Sequence, residues 1–179
     1  MSRHRVFFAL WPEPEVAEHL AALGQNLATD YGGRLTPVAQ LHMTLTFIGN
    51  VTTARLDDLL ALAATVRAAP IEFELDRLGF WPQGGILWAG CRSSASCQRR
   101  LFEPLHGALK AKLDAAGFST ANRSFAPHVT LARHTRCASL PRLGTPIFWR
   151  ANEFSLVESV PRPLGVDYVT RASFALEER

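Results

Sequence analysis

The order of apolar runs along the chain predicts an α+β fold of two similar lobes related by an approximate two-fold axis. Three observations carry this reading. A strand, a long helix and a second strand follow one another twice, and each closing strand holds the same short pattern. The first copy is His42-Met43-Thr44-Leu45 within LHMTLTFIG, and the second is His128-Val129-Thr130-Leu131 within APHVTLARH. The opening strands keep step with the pattern, since Phe8 precedes His42 by 34 positions and Leu87 precedes His128 by 41. Finally, 179 residues with 47% hydrophobic and 20% charged content can build one compact unit, or two lobes sharing one core.

Each element has its own signal. Residues 5–10 form an apolar, aromatic strand stopped by Trp11-Pro12. Over 13–31 the positions Val16, Leu20, Leu23 and Leu27 follow helical spacing, and Gly32-Gly33 ends the helix. Residues 41–48 are the first motif strand, closed by Gly49-Asn50. Thr52 or Thr53 caps a second helix with the stripe Leu56, Leu59, Leu60, Ala63 and Val66. A half-exposed strand over 71–78 alternates Ile71, Phe73 and Leu75 with Glu72, Glu74 and Asp76. A turn over 79–85 leads to a strand over 86–91. Ser93 or Ser94 starts a helix running to about Ala116, with Leu101, Leu105, Leu109 and Leu113 on one face and Pro104 as a bend. The second motif strand follows, then a Pro-punctuated linker over 140–146 and two strands over 148–157 and 166–176.

In an extended strand successive side chains point to opposite faces. His42 and Thr44 therefore share one face, while Leu41, Met43, Leu45 and Phe47 share the apolar one; His128 and Thr130 repeat that parity against Val129 and Leu131. A single such pair is more often a satisfied core histidine and threonine. Two copies, both continuing to Leu within alternating strands, arise by chance in far fewer than about one chain in a thousand. The matched pair is the signal.

Two imidazoles across one cleft suit displacement at phosphorus, which runs in line, with the incoming oxygen opposite the leaving one. Near a pKa of about 6.5, one ring can act as base and the other as acid at neutral pH. The threonine hydroxyls on the same faces would donate to the non-bridging oxygens, where charge builds up. His134 shares the His128 face by strict parity, which leaves a metal reading in view, but no Asp, Glu or further His stands at ligand spacing beside either motif. No metal and no cofactor is assigned. His4, His19 and His106 have no supporting pattern and are read as structural, and Phe7, Phe8, Phe47, Trp11, Phe80 and Trp81 are read as core, with room for one exposed aromatic near the cleft to hold a nucleobase.

A net charge of +3, with Arg the dominant cation, permits a polyanionic partner without demanding one. Cys91, Cys97 and Cys137 are odd in number and lack CxxC spacing, which argues against a disulfide framework and for a reducing compartment. The apolar run after MSRHR is cut by Pro12, Glu13 and Glu15, too early for a signal or a membrane span. These features predict a cytoplasmic protein without a membrane partner.

The paired pattern, the opening FFAL strand followed by Pro12, LHMTLTFIGNV, the LGFWP…GGILWAG centre and PHVTLAR together resemble the two-histidine phosphoesterase superfamily, and within it the RNA 2′,3′-cyclic phosphodiesterases, also called 2′-5′ RNA ligases. The resemblance spans about 5–176. It implies one bilobal catalytic domain over 1–179, built as two pseudo-symmetric lobes of antiparallel sheet with outer helices and a central cleft. It implies metal-independent opening of a ribose 2′,3′-cyclic phosphate at an RNA or nucleotide end to a 2′-phosphate, with reversible 2′-5′ joining, by a monomer. The catalytic roles fall on His42 and His128 and phosphate binding on Thr44 and Thr130. An Arg five positions after the second His often contacts phosphate in the family, and Arg133 matches it; strict alternation turns Arg133 away, so its use requires the strand to end or bulge near Ala132. We assign His42 to protonate the leaving 3′-oxygen and His128 to activate water, an assignment the near symmetry leaves reversible. The alternatives are a non-catalytic RNA-end-binding module and a phosphodiesterase acting on another cyclic or 2′-5′-linked nucleotide.

Overall fold

Ten strands and three helices make up the computed structural model, which describes residues 3–91, 95–120, 125–137, 139–163 and 165–177, with backbone alone over 95–99. In chain order they are β1 (Arg3–Leu10), α1 (Pro14–Tyr31), β2 (Arg34–Leu35), β3 (Met43–Thr52), α2 (Thr53–Ala63), β4 (Ile71–Leu75), β5 (Arg77–Trp81), β6 (Ile86–Gly90), α3 (Ala95–Ala115), β7 (His128–Arg133), β8 (Ile147–Ala151), β9 (Glu153–Arg162) and β10 (Gly165–Ala175). The helix signals act as expected. Pro14 opens α1, where its missing N–H costs nothing. The Thr52 hydroxyl accepts the Arg55 N–H at 3.4 Å to cap α2. Pro104 lies inside α3, and Leu105, Leu109 and Leu113 are fully buried as expected, but Leu101 is turned out at 38% exposure and Phe102 takes its place on the buried face. The proposed caps Ser93 and Ser94 lie outside the described residues.

One antiparallel sheet runs in the order β10-β9-β1-β3-β7-β6-β5, with β2 also on β7. Read outward from the seam between β3 and β7, it gives β3-β1-β9 on one side and β7-β6-β5 on the other. The repeated unit is β1-α1-β3 and β6-α3-β7. Register confirms the equivalence: Phe8 opposes Thr46, four residues after His42, and Leu87 opposes Ala132, four after His128. Each unit's helix packs on the other unit's motif strand, α1 on β7 and α3 on β3. A single apolar cluster therefore runs through both halves, from Phe8, Leu20 and Met43 to Leu105, Val129 and Trp149.

Two predicted strands are each split in the structure. The run over 71–78 breaks at Asp76 and that over 148–157 at Asn152, because β4 and β8 pair with each other in a separate two-stranded sheet, from Ile71 opposite Ala151 to Leu75 opposite Ile147. Ile71, Phe73 and Leu75 of β4 and Ile147, Trp149 and Ala151 of β8 face the common core, with Phe148 turned out to solvent, while β5 and β9 go on into the main sheet. Part of the expected turn over 79–85 is strand as well, since Gly79, Phe80 and Trp81 pair with Trp88, Leu87 and Ile86. Gly79 is needed there, because a Cβ would lie 1.9 Å from the Trp88 indole. Nor does Gly49 end β3: with φ of 91° it lies opposite Val6 at a register shift, and the strand continues to Thr52.

Candidate active site

The seam between the halves is one residue pair thick. Met43 opposes Val129, both fully buried on the core face. Antiparallel register then sets His42 against Thr130 and Thr44 against His128, all four on the opposite face and half-buried. Beyond the seam β3 and β7 part, and β2 takes the vacated edge of β7, with Leu35 opposite Ala132 and Arg34 opposite Arg133. The site is thus a diagonal quartet centred on the pseudo-two-fold axis.

Both imidazoles are held in the same way. His42 Nδ1–H donates to the Gln40 carbonyl at 2.7 Å, and His128 Nδ1–H donates to the Ala126 carbonyl at 2.7 Å. A carbonyl can only accept, so Nδ1 carries the proton in each neutral ring and Nε2 keeps its lone pair for chemistry. Burial pushes His42 down to about 4, with the His128 and Arg133 charges adding to the drop against the opposing pull of the Gln40 carbonyl. Burial and Arg133 move His128 in the same direction, again against its carbonyl partner. His42 feels the charge of His128, and both rings feel Arg133.

Arg133 meets the condition its use requires. In β7, Trp88 opposes Thr130 while Leu87 opposes Ala132, leaving Leu131 unmatched as a bulge. Leu131 and Ala132 are both buried in succession, and Arg133 emerges on the site face. The first motif has the same bulge, for Ala9 opposes Thr44 and Phe8 opposes Thr46, with Leu45 unmatched. Leu45 and Thr46 are buried together, and Phe47 is turned out at 37% exposure. Phe47 therefore lies on the site face, not on the apolar face that strict alternation assigns it. The Leu131 bulge in β7 moves His134 off the His128 face; it is exposed and stands in left-handed backbone with φ of 58°.

Two open cavities adjoin His42. One of about 290 Å³ is lined by Arg34, Thr36, Gln40, His42, Thr130 and Arg133, among others. The other, of about 470 Å³, includes Arg5, Phe7, His42, Thr44, Phe47 and Arg133. Several aromatics assigned to the core are walls of the site. Phe7 and Trp11 each lie 5.1 Å from the His42 ring centroid, as does Tyr168 of β10. Trp81 stands edge-on to His128 at 4.5 Å, with Trp88 behind it at 6.2 Å. Phe8, by contrast, is core. Tyr168 and Trp88 were not anticipated; Trp88 was signalled by its alternation with the buried Leu87 and Ala89, Tyr168 by nothing local. His4 is engaged elsewhere with Glu158 at 2.8 Å, and His106 stacks on Phe125.

This geometry has known relatives. Residues 10–88 match the family model for LigT-like phosphoesterases. An RNA 2′,3′-cyclic phosphodiesterase of Thermus thermophilus is 31% identical over 181 residues, spanning 96% of this chain and 90% of its own length. The chain belongs to the LigT-like phosphoesterase family. A second RNA 2′,3′-cyclic phosphodiesterase, from Escherichia coli, is 29% identical across 87% of this chain and 86% of its own. The crystal structure of Escherichia coli LigT complexed with 3′-AMP superposes with a TM-score of 0.87 at 27% identity, covering 99% of this chain and all of that one. The α+β architecture of this LigT-like phosphoesterase is thus shared along its whole length.

Proposed function

We propose that this chain is an RNA 2′,3′-cyclic phosphodiesterase that opens a terminal ribose 2′,3′-cyclic phosphate to the 2′-phosphate. The observation that carries the reading is the quartet His42, Thr44, His128 and Thr130, disposed two-fold about the Met43–Val129 pair with both Nε2 atoms unengaged by the backbone contacts that fix Nδ1. A water oxygen attacks phosphorus as its proton passes to His128 Nε2. The bond from phosphorus to the 3′-oxygen breaks in line, and that oxygen takes the proton of His42 Nε2. Thr44, Thr130 and Arg133 hold the non-bridging oxygens. With a 5′-hydroxyl in place of water, the same step joins two ends through a 2′-5′ linkage.

In the free protein both depressed rings are neutral at pH 7. The negative charge of a bound phosphodiester favours the protonated ring, so the acid takes up its proton together with the substrate. The shared core and the exchanged helices support one catalytic domain over 1–179. All the site groups come from one chain, in keeping with a monomer. The cytoplasmic setting rests on three cysteines without CxxC spacing in the sequence, and among the described residues no helix is long and apolar enough to cross a membrane.

The test is turnover of adenosine 2′,3′-cyclic phosphate followed by phosphorus NMR. The wild type yields the 2′-phosphate, and His42→Ala and His128→Ala are each slower by at least about a hundredfold with unchanged circular dichroism. Near-normal turnover in either variant, or binding without any turnover in the wild type, would overturn the reading.

A further inference from the structure

Arg34 and Arg133 are directly opposed across the β2–β7 pair. Directly opposed residues of antiparallel strands point to the same face, and like charges so placed repel. Among the described residues neither guanidinium has a carboxylate ion pair, whereas Arg55, Arg150, Arg162 and Arg171 do; Arg5 and Arg67 also lack one, but Arg67 bonds backbone carbonyls and Arg5 lies over the Phe47 ring. Arg34 and Arg133 both line the 290 Å³ cavity beside His42 and Thr130. An unneutralised pair of this kind suits an anion.

Nor is Arg34 a loosely placed side chain. Gly33 before it has φ of 93°, and a Cβ there would lie 2.6 Å from the Arg133 carbonyl oxygen, so only glycine lets β2 lie this close to β7. After it, the Thr36 N–H donates to the Leu131 carbonyl at 2.9 Å. Leu35 points the other way, towards Gly24 of α1. The backbone thus fixes Arg34 on the cleft side.

In the reading above the reacting phosphate already has the Thr44 and Thr130 hydroxyls and Arg133 on its non-bridging oxygens and His42 on its leaving oxygen, and both imidazoles feel the Arg133 charge. Arg34 is one cation more than that group requires. Resting on the diesterase reading above, we propose that Arg34 binds a second phosphate of the substrate. A terminal cyclic phosphate has chain on its 5′ side only, so this is the phosphate on the 5′-oxygen of the reacting nucleotide. The site then prefers an RNA end, or a 5′-phosphorylated nucleotide, over a nucleoside cyclic phosphate.

The experiment compares adenosine 2′,3′-cyclic phosphate bearing a 5′-hydroxyl with the same compound bearing a 5′-phosphate. For the wild type, kcat/KM is expected to be higher on the 5′-phosphorylated compound by about tenfold, the scale of one charge-assisted hydrogen bond. Arg34→Gln, and Arg34→Met with its retained aliphatic stem, reduce that ratio to about two or less. A wild type that treats both compounds alike overturns the proposal, as does a variant that slows both by one factor. Calorimetry with adenosine 2′-phosphate and adenosine 2′,5′-bisphosphate reads the same contact without turnover. Tighter binding of the bisphosphate that is lost in the Arg34 variants supports the second subsite even if hydrolysis is absent, and equal binding overturns it even if hydrolysis is fast.

Discussion

The two motif strands are alike in everything that would touch phosphorus and different in nearly everything around it. Each has its imidazole tied at Nδ1 to the carbonyl two residues upstream, its threonine two residues on, and a bulge at the following leucine. Past the bulge they diverge. The first half turns out Phe47, with the Arg5 guanidinium 5.1 Å from its ring centre, where the second turns out Arg133. His42 is enclosed by Phe7, Trp11 and Tyr168, whereas His128 meets Trp81 and Trp88. The duplicated part can grip a phosphoryl group from both flanks without distinguishing them. Substrate direction must then come from the unduplicated part.

The largest effects should come from the duplicated part. Combining His42→Ala with His128→Ala is expected to cost little more than the worse single variant, because acid and base serve one transition state. A fully multiplicative loss would mean that the rings act in separate steps. The assigned roles can be separated with a p-nitrophenyl phosphodiester, whose leaving oxygen needs little protonation. On that substrate His42→Ala should recover more of its activity than His128→Ala, and the opposite ranking would exchange acid and base. Next in size are Thr44→Val and Thr130→Val, each lowering kcat by about tenfold to a hundredfold through a lost donor to a charged oxygen. The two losses should agree within a few-fold, and a large inequality would break the two-fold picture.

The outcome also shows what periodicity can and cannot reveal. The quartet was legible because parity needs only the residues themselves, and a repeat of strand, helix and strand survives in the order of apolar runs. Phe47 and His134 were placed on the wrong faces by the same rule. A bulge reverses parity, and neither Leu45 nor Leu131 differs in type from an ordinary strand leucine. Arg133 was tied in advance to a bulge near Ala132, and the bulge stands one residue earlier. The splits at Asp76 and Asn152 escaped detection because β4 and β8 satisfy the same alternation as their continuations while belonging to another sheet. Tyr168 comes from a strand 126 residues beyond His42 in sequence, and only the sheet order β10-β9-β1-β3 brings them together.

A smaller, directional pair of effects sharpens the contrast past the bulge. Arg133→Gln should raise KM and lower kcat together by about tenfold, since a charged donor to the reacting group is lost. It should also raise the pKa of both rings, because its charge lowers both. The acid limb of kcat/KM would move towards higher pH. Phe47→Ala should act on KM alone, by about threefold to tenfold, if its exposed ring is a surface on which a base lies. Equal changes in kcat from both substitutions would erase the proposed division between chemistry and orientation.

The smallest effect is on stability, and its sign follows from the direction of the histidine shifts. Above about pH 6.5, His42 is neutral whether the chain is folded or unfolded, so it makes stability no more pH-dependent. As pH falls below that value the unfolded chain takes up a proton, while the folded protein resists until about pH 4. Stability present above 6.5 is therefore lost progressively between 6.5 and 4, and His128 adds to the loss in the same sense. Urea midpoints at pH 7 and pH 5 measure this difference directly. His42→Ala should shrink it, even if the lost packing against Phe7, Trp11 and Tyr168 lowers both midpoints. Adenosine 2′-phosphate should shrink it too, because an anion between the rings favours their protonated forms and binds more tightly as pH falls. If the ligand instead protects equally at both values, the rings and the phosphate are not in contact, and the charge coupling through Arg133 would have to serve something other than the reacting group.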